Sequence, residues 1–224
     1  MSDKEDTASV IPPSPSAADY QRDSAGNPLI PDVADPVPLF RDWMAKARDA
    51  ELNDSNAMSL ATVDAHGRPD VRVVLLKGFS DEGFAFYTNF GSAKGEQLKA
   101  NPVAALGFHW KSLRRQVRLR GSIVPVAPEE ADKYFASRAK ESRISAIASD
   151  QSRPLPSRDV FEQRIEALQA EYEGRDDIPR PANWGGFRLV PDEIEFWQDQ
   201  AFRMHDRLKF TRKDGVWTRE RLYP

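Results

Sequence analysis

The sequence predicts a mainly β domain of barrel type with helices at its flanks, and three observations carry that reading. Short β-branched runs recur along the chain, each bounded by turn residues. Helical periodicity is confined to a few stretches between them. Neither GxGxxG nor GxxxxGK(S/T) occurs, which removes the usual dinucleotide turn and the P-loop of doubly wound sheets. Antiparallel strands with lateral helices are what remains.

The elements follow in order. Asp35-Pro36 reads as an N-cap with proline in the first turn, and Leu39, Phe40, Trp43, Met44 and Ala47 then recur at helical spacing to about Glu51. Residues 58–63 and 71–77 form a hairpin across a turn at 64–69, and 84–88 is a third strand after a turn at 80–83. Residues 91–102 run from a Gly-Ser loop into a short helix stopped by Asn-Pro. Strands resume at 103–110 and 115–124, and Pro128 opens a helix through Tyr134 and Phe135. A second long helix after Ser157 places Phe161, Ile165, Leu168 and Tyr172 on one face, with Gly174 as its stop. The chain then returns to strands at 186–190, 193–198, 208–212 and 216–219, the last pair joined by a turn at 213–215.

Composition narrows the function classes. The 224 residues hold 32 Lys+Arg against 35 Asp+Glu, and a net charge of −3 argues against a nucleic-acid binder held by bulk electrostatics. Zero Cys removes thiolate nucleophiles and thiolate zinc sites, the three His match no zinc spacing, and no metal is expected. No apolar run approaches a membrane span and no signal peptide is read, so the expectation is a cytoplasmic protein. Residues 1–38 carry seven of the 17 Pro and seven acidic against two basic residues, a net of −5 that leaves the body at +2. Residues 1–34 are therefore expected to be a mobile tail on a single domain at 35–224.

Four places gather chemistry. Arg72 and Lys77 end an apolar strand, and strand alternation puts them on opposite faces. Residues 87–94 lead a strand through Gly91 and Ser92 to Lys94 at a helix N-terminus, a common way to hold a phosphate; a plain N-cap at Ser92 and a solvated Lys94 is the other reading. Tyr134 and Arg138 lie four apart on one helix face, with Ser142 and Ser152 beyond. Arg203, His205 and Arg207 alternate and project together if extended, an arrangement that calls for an anion or a π-system between them. Arg118 and Arg120, by contrast, alternate with Val117 and Leu119 as on a solvated strand face, with Gln116 turned inward.

RVVLLK (72–77), YTNFGSAK (87–94), RRQVRLRG (114–121), KYFASR (133–138), WGGFRLVP (184–191), EFWQ (195–198), RMHDR (203–207) and the RLYP terminus together resemble the pyridoxine/pyridoxamine 5'-phosphate oxidase family from about Leu39 to Pro224. The resemblance implies an FMN-binding split β-barrel, a homodimer with FMN between subunits. It also implies oxidation of a phosphorylated B6 vitamer to pyridoxal 5'-phosphate, with O2 as acceptor and H2O2 as product. By the same resemblance Arg72, Val73, Val74, Leu75, Leu76, Lys77, Tyr87, Thr88, Lys94, Gln116, Gln151, Ser152, Trp197 and Arg207 would contact FMN. Lys77, Tyr134, Arg138 and Ser142 would clamp the substrate phosphate, while Arg203, Met204 and His205 would face its ring, Arg203 and His205 as the catalytic pair. Arg72 with Lys94, and Lys77 with Arg138, would then serve two phosphates.

Several positions depart from the family pattern. Ala93 stands where an Arg usually precedes the Lys, Asp199-Gln200 replaces Gly-Gly, and Ala139 and Ile147 replace a Pro and a Trp. Only Tyr20 and Arg22 remain of an Arg-rich N-terminal stretch, so no site residue is carried there. Two rivals stay open: a flavin oxidase of the phenazine-biosynthesis type acting on another aromatic substrate, and a non-catalytic flavin or pyridoxal-phosphate binder.

Overall fold

The computed structural model describes residues 13–24 and 26–224. Nine antiparallel strands among the described residues form one sheet in the order β2 (Pro69–Leu75), β1 (Ala57–Val63), β5 (Val103–Trp110), β6 (Arg115–Pro125), β7 (Trp184–Gln198), β4 (Gly83–Asn89), β3 (Gly78–Ser80), with β8 (Asp206–Lys213) and then β9 (Val216–Arg221) continuing from β7. Its centre is β7 (Trp184–Gln198), which pairs from Phe187 to Gln198 with the whole of β6 (Arg115–Pro125), with β4 (Gly83–Asn89) at one end and with β8 (Asp206–Lys213) at the other. The sheet curls until the segment after β2 (Pro69–Leu75) meets β4, where the Lys77 N–H donates to the Ala85 carbonyl at 2.9 Å.

The curl encloses an aromatic core. Helix α2 (Pro36–Ala50) is fixed at its start by Asp35, whose carboxylate accepts the Val37 N–H at 2.9 Å, and by Pro36 at N1. Its apolar face inserts Phe40 edge-on against Phe79, Phe84 and Phe108, and Trp43 against Phe196. Around them close Leu60 of β1 (Ala57–Val63), Leu106 of β5 (Val103–Trp110) and Val117 and Leu119 of β6. A smaller core of Phe135, Ile144, Tyr172, Ile178 and Trp184 joins α4 (Pro128–Ala136), α5 (Lys140–Ala148) and α6 (Arg158–Glu171) to the sheet.

Most expected elements are present, with four differences. Residues 78–80 form a short strand β3 (Gly78–Ser80) paired to β4, where the sequence shows only the approach to a turn. Strands 186–190 and 193–198 are one continuous β7, since a register shift at Arg120/Gly121 of β6 absorbs the irregularity at Pro191-Asp192. Helix α5 is unanticipated, having no side-chain cap and no clear apolar stripe. Residues 203–207 are not an extended run: Ala201–Arg203 is a 3-10 turn with Phe202 and Arg203 at φ 57° and 63°, so β8 begins only at Asp206. The alternation expected of Arg203, His205 and Arg207 is therefore corrected.

Of the N-terminal stretch, residues 1–12 and 25 lie outside the described residues. Helix α1 (Ala17–Ser24) brings Tyr20 against Phe202 at 5.6 Å between ring centroids. Ile30 is 2% exposed within the main core, and its N–H donates to Asp206 at 2.6 Å. No helix among the described residues is long and apolar enough to cross a membrane, and none of their acidic and His groups cluster to hold a metal.

Candidate active site

A cleft of about 370 Å3 opens where β2, β4, α3 (Ala93–Ala100), α4 and α5 meet. Arg72, Lys77, Lys94 and Arg138 all line it and no carboxylate does. Local sequence explains each placement. β2 ends at Leu75, Leu76 turns into the core, and the chain redirects Lys77 into the cleft that Arg72 already faces. The expectation that the two cations point to opposite faces is thus corrected, because the alternation stops between them.

Lys94 is set by the helix start. Ser92 is the N-cap of α3, its hydroxyl accepting the Gly95 N–H at 3.3 Å, and is fully buried. A Cβ at Gly95 would lie 2.5 Å from the Phe90 carbonyl oxygen, so only glycine lets the first turn seat this closely. The cap reading of Ser92 is therefore right, whereas Lys94 is buried rather than solvated. Its ammonium donates to the Gln151 side-chain oxygen at 2.9 Å, and Thr88 donates to the same oxygen at 3.2 Å. Burial, and then the nearby Arg72, lower the Lys94 pKa below the ordinary lysine value.

The other cations sit against an aromatic stack. Tyr87 and Tyr134 stack at 4.0 Å and Trp184 stacks on Tyr87 at 5.6 Å. Gly186 pairs with Tyr87 across the sheet, and a Cβ there would lie 2.8 Å from the Tyr87 ring. The Arg138 guanidinium is 5.0 Å from the Trp184 ring and the Lys77 ammonium 5.9 Å from that of Tyr134. Burial lowers the Arg138 pKa, and its Nη1 is buried without a hydrogen-bond partner. Tyr87 is pushed up to about 12 by burial and by Glu130, to which its hydroxyl donates at 3.3 Å, so it stays a neutral phenol.

The structure brings Arg72, Val73, Val74, Leu75, Lys77, Tyr87, Thr88, Lys94, Tyr134, Arg138 and Gln151 together in this cleft. It does not bring the rest. Leu76 is in the core with its N–H and carbonyl bonded to Asn56. Ser142 stands one helical turn short of the cleft, which Ser145 and Ser149 line, and Ser152 is exposed in a left-handed conformation. Asn89, Ser145, Ala146, Ser149 and Trp184 are additions. Asn89 and Trp184 lie inside quoted motifs, whereas the α5 residues gave no signal without their helix.

Gln116, Trp197 and Arg207 form a separate row across β6, β7 and β8, in mutual register. His205 packs on Trp197 at 4.6 Å and Arg203 donates to the Tyr20 hydroxyl at 3.1 Å, while Met204 is exposed. None of these six residues lines the cleft.

A curled antiparallel sheet with flanking helices and a cationic cleft that no carboxylate lines defines a split-barrel protein. Residues 44–172 match the family model of pyridoxamine 5'-phosphate oxidase, and residues 184–224 match that of the pyridoxine 5'-phosphate oxidase C-terminal dimerisation region. The chain belongs to the pyridoxamine 5'-phosphate oxidase family. It is 68% identical to the pyridoxine/pyridoxamine 5'-phosphate oxidase of Hyphomonas neptunium, over 97% of this chain and 100% of that one. Identity to the enzyme of that name from Caulobacter vibrioides is 54%, over 96% and 97%. Among solved structures, PhzG from Burkholderia lata 383, in complex with tetrahydrophenazine-1-carboxylic acid, superposes with a TM-score of 0.81 at 31% identity, over 86% of this chain and 94% of that one.

Proposed function

We propose that this protein is an FMN-dependent oxidase that converts pyridoxine 5'-phosphate and pyridoxamine 5'-phosphate to pyridoxal 5'-phosphate, reducing O2 to H2O2, and that it works as a homodimer. The observation that carries the reading is the cleft's donor set. Lys77, Lys94 and Arg138 have no carboxylate partner among the described residues, and Arg138 Nη1 is buried and unbonded. Lys94 is buried and Arg138 part-buried without counter-charge, which is costly, and a phosphate dianion would relieve them, with the exposed Lys77 beside it.

The residues fit FMN. Lys94 and Arg72 would hold its phosphate, with Thr88 and Gln151 beside them and the backbone of 73–75 along its length. When bound, FMN supplies the two-electron redox chemistry between the C4' carbon of the substrate and O2. Lys77, Tyr134 and Arg138 would grip the substrate phosphate, and Tyr87, Tyr134 and Trp184 form the aromatic wall of that half. Gln116, Trp197, Arg203, Met204, His205 and Arg207 would come to the same site from the second subunit, consistent with a match to a dimerisation region over 184–224. Arg203 would place the substrate ring and His205 orient it; holding reactants in register is worth up to about 7–11 kcal/mol of the barrier.

The test is loading and turnover. Purified protein is expected to be yellow with FMN and to take up oxygen with pyridoxine 5'-phosphate while forming the aldehyde. Colourless protein that cannot be loaded with FMN rejects the proposal. Turnover of an unphosphorylated aromatic in preference to the phosphate ester would favour the phenazine-type rival instead.

A further inference from the structure

Asp199 is built into the turn that carries His205. Its carboxylate is only 12% exposed, with Oδ2 accepting from Arg114 Nη1 at 2.9 Å and Oδ1 lying 3.1 Å from His205 Nδ1. Its N–H donates to the Arg114 carbonyl at 3.0 Å, and its own carbonyl accepts from Asn27 at 3.0 Å. The next residue, Gln200, donates its side-chain amide to the Asn27 carbonyl at 3.1 Å. Trp197 closes the remaining side of the imidazole. The loop is thereby held at both backbone and side chain, and the ring meets a fixed carboxylate.

We propose that Asp199 is a positioning residue for His205, holding the imidazole in the Nδ1–H tautomer so that Nε2 is left as the acceptor. The proposal rests on the reading that His205 stands against the substrate ring. One contact opposes it: the Gln200 backbone N–H donates to the same Nδ1 at 3.3 Å, the hydrogen bond of the other tautomer, whereas Asp199 Oδ1 stands at 3.1 Å as an ion-pair contact. A bond to an ionised acceptor is roughly twice as strong as a neutral one, and the carboxylate is also nearer. Among the described residues, the charged groups around the ring are Asp199 and Arg203, with Arg114 behind Asp199. Burial, and Arg203 with it, hold the His205 pKa below 6.5 against the upward pull of Asp199, so the ring is neutral at pH 7 and its tautomer is a real choice.

Asp199→Asn separates this role from a packing role. Arg114 can only donate, so the new amide oxygen turns to Arg114 and the amide NH2 faces Nδ1, which forces the Nε2–H form. Two-bond 1H–15N spectra of histidine-labelled holoenzyme are expected to show Nδ1–H in the wild type, Nε2–H in Asp199→Asn, and a mixture in Asp199→Gly. Over the same series FMN affinity stays constant, and kcat/KM for pyridoxine 5'-phosphate falls about 10- to 100-fold in Asp199→Asn, the scale of a misplaced active group. Wild-type Nε2–H, or an Asn variant that keeps Nδ1–H, overturns the proposal. Inactive wild-type protein that still shows the tautomer switch overturns the functional reading alone and leaves Asp199 as the group that sets the ring.

Discussion

The cleft and the ladder on the C-terminal strands each carry four long cations, and they treat them in opposite ways. In the ladder, Glu195 takes Arg118 and Arg207, and Glu193 takes Arg120 and Lys209. In the cleft, only Arg72 meets a carboxylate, Asp70, while Lys77, Lys94 and Arg138 face Gln151, rings and open space. The ladder compensates its own charge, Arg207 included, although that residue is also assigned to the FMN site of the second subunit. The cleft leaves its charge for something from outside, so several unmet cations around one cavity mark a binding site where cation count does not; a single one, such as buried Arg115 against Trp43 with its own unbonded Nη1, does not.

That contrast can be broken by mutation, and the largest effect belongs to the deepest cation. Lys94→Ala is expected to weaken FMN about 10- to 100-fold, the scale of a lost charge-assisted hydrogen bond, as read by flavin fluorescence titration. FMN binding at wild-type strength would show that Lys94 is not held for a phosphate. Next, Lys77→Ala should raise KM for pyridoxine 5'-phosphate about tenfold with FMN affinity within about twofold, since one charge contact is removed from the substrate side. A comparable loss of FMN would merge the two cation groups.

His205 gives a pH effect of intermediate size. Its pKa lies below 6.5 in the folded protein, chiefly from burial. The unfolded ring therefore binds a proton as pH drops through 6.5 while the folded ring does not, and its contribution to stability decreases in that direction. An NMR titration should place the midpoint below 6.5, and lower still in Asp199→Asn; a midpoint above 6.5 contradicts the burial argument. The smallest effect is expected in the ladder, where Arg120→Ala should cost about 0–1 kcal/mol in urea unfolding and leave FMN binding unchanged, its side chain being 72% exposed.

Local chemistry made much of this legible before any coordinates. Proline at N1 behind Asp35, the β-branched runs and the Asp214-Gly215 turn each name their element. The polar-out alternation of Arg118 and Arg120 marks an exposed face, now seen paired to Glu195 and Glu193, but Gln116, expected inward, shares that face by the same alternation, and Arg115 is the polar residue that the strand buries. Tertiary context decided the rest. Lys77 joins Arg72 because β4 captures its N–H and ends the alternation. Arg203 and His205 part company because Phe202 and Arg203 adopt left-handed backbone, which their residue types do not announce. Ser145 and Ser149 reach the cleft on a helix with no cap or stripe to reveal it.

The central claim is that the cleft's cations divide into two groups for two phosphates, Arg72 with Lys94 and Lys77 with Arg138, and Arg138→Ala tests it most directly when the FMN dissociation constant and the KM for pyridoxine 5'-phosphate are measured on the same preparation. The account predicts a KM raised about tenfold or more, from loss of a buried charged donor, with FMN bound as in the wild type. Loss of FMN equal to the rise in KM would contradict it.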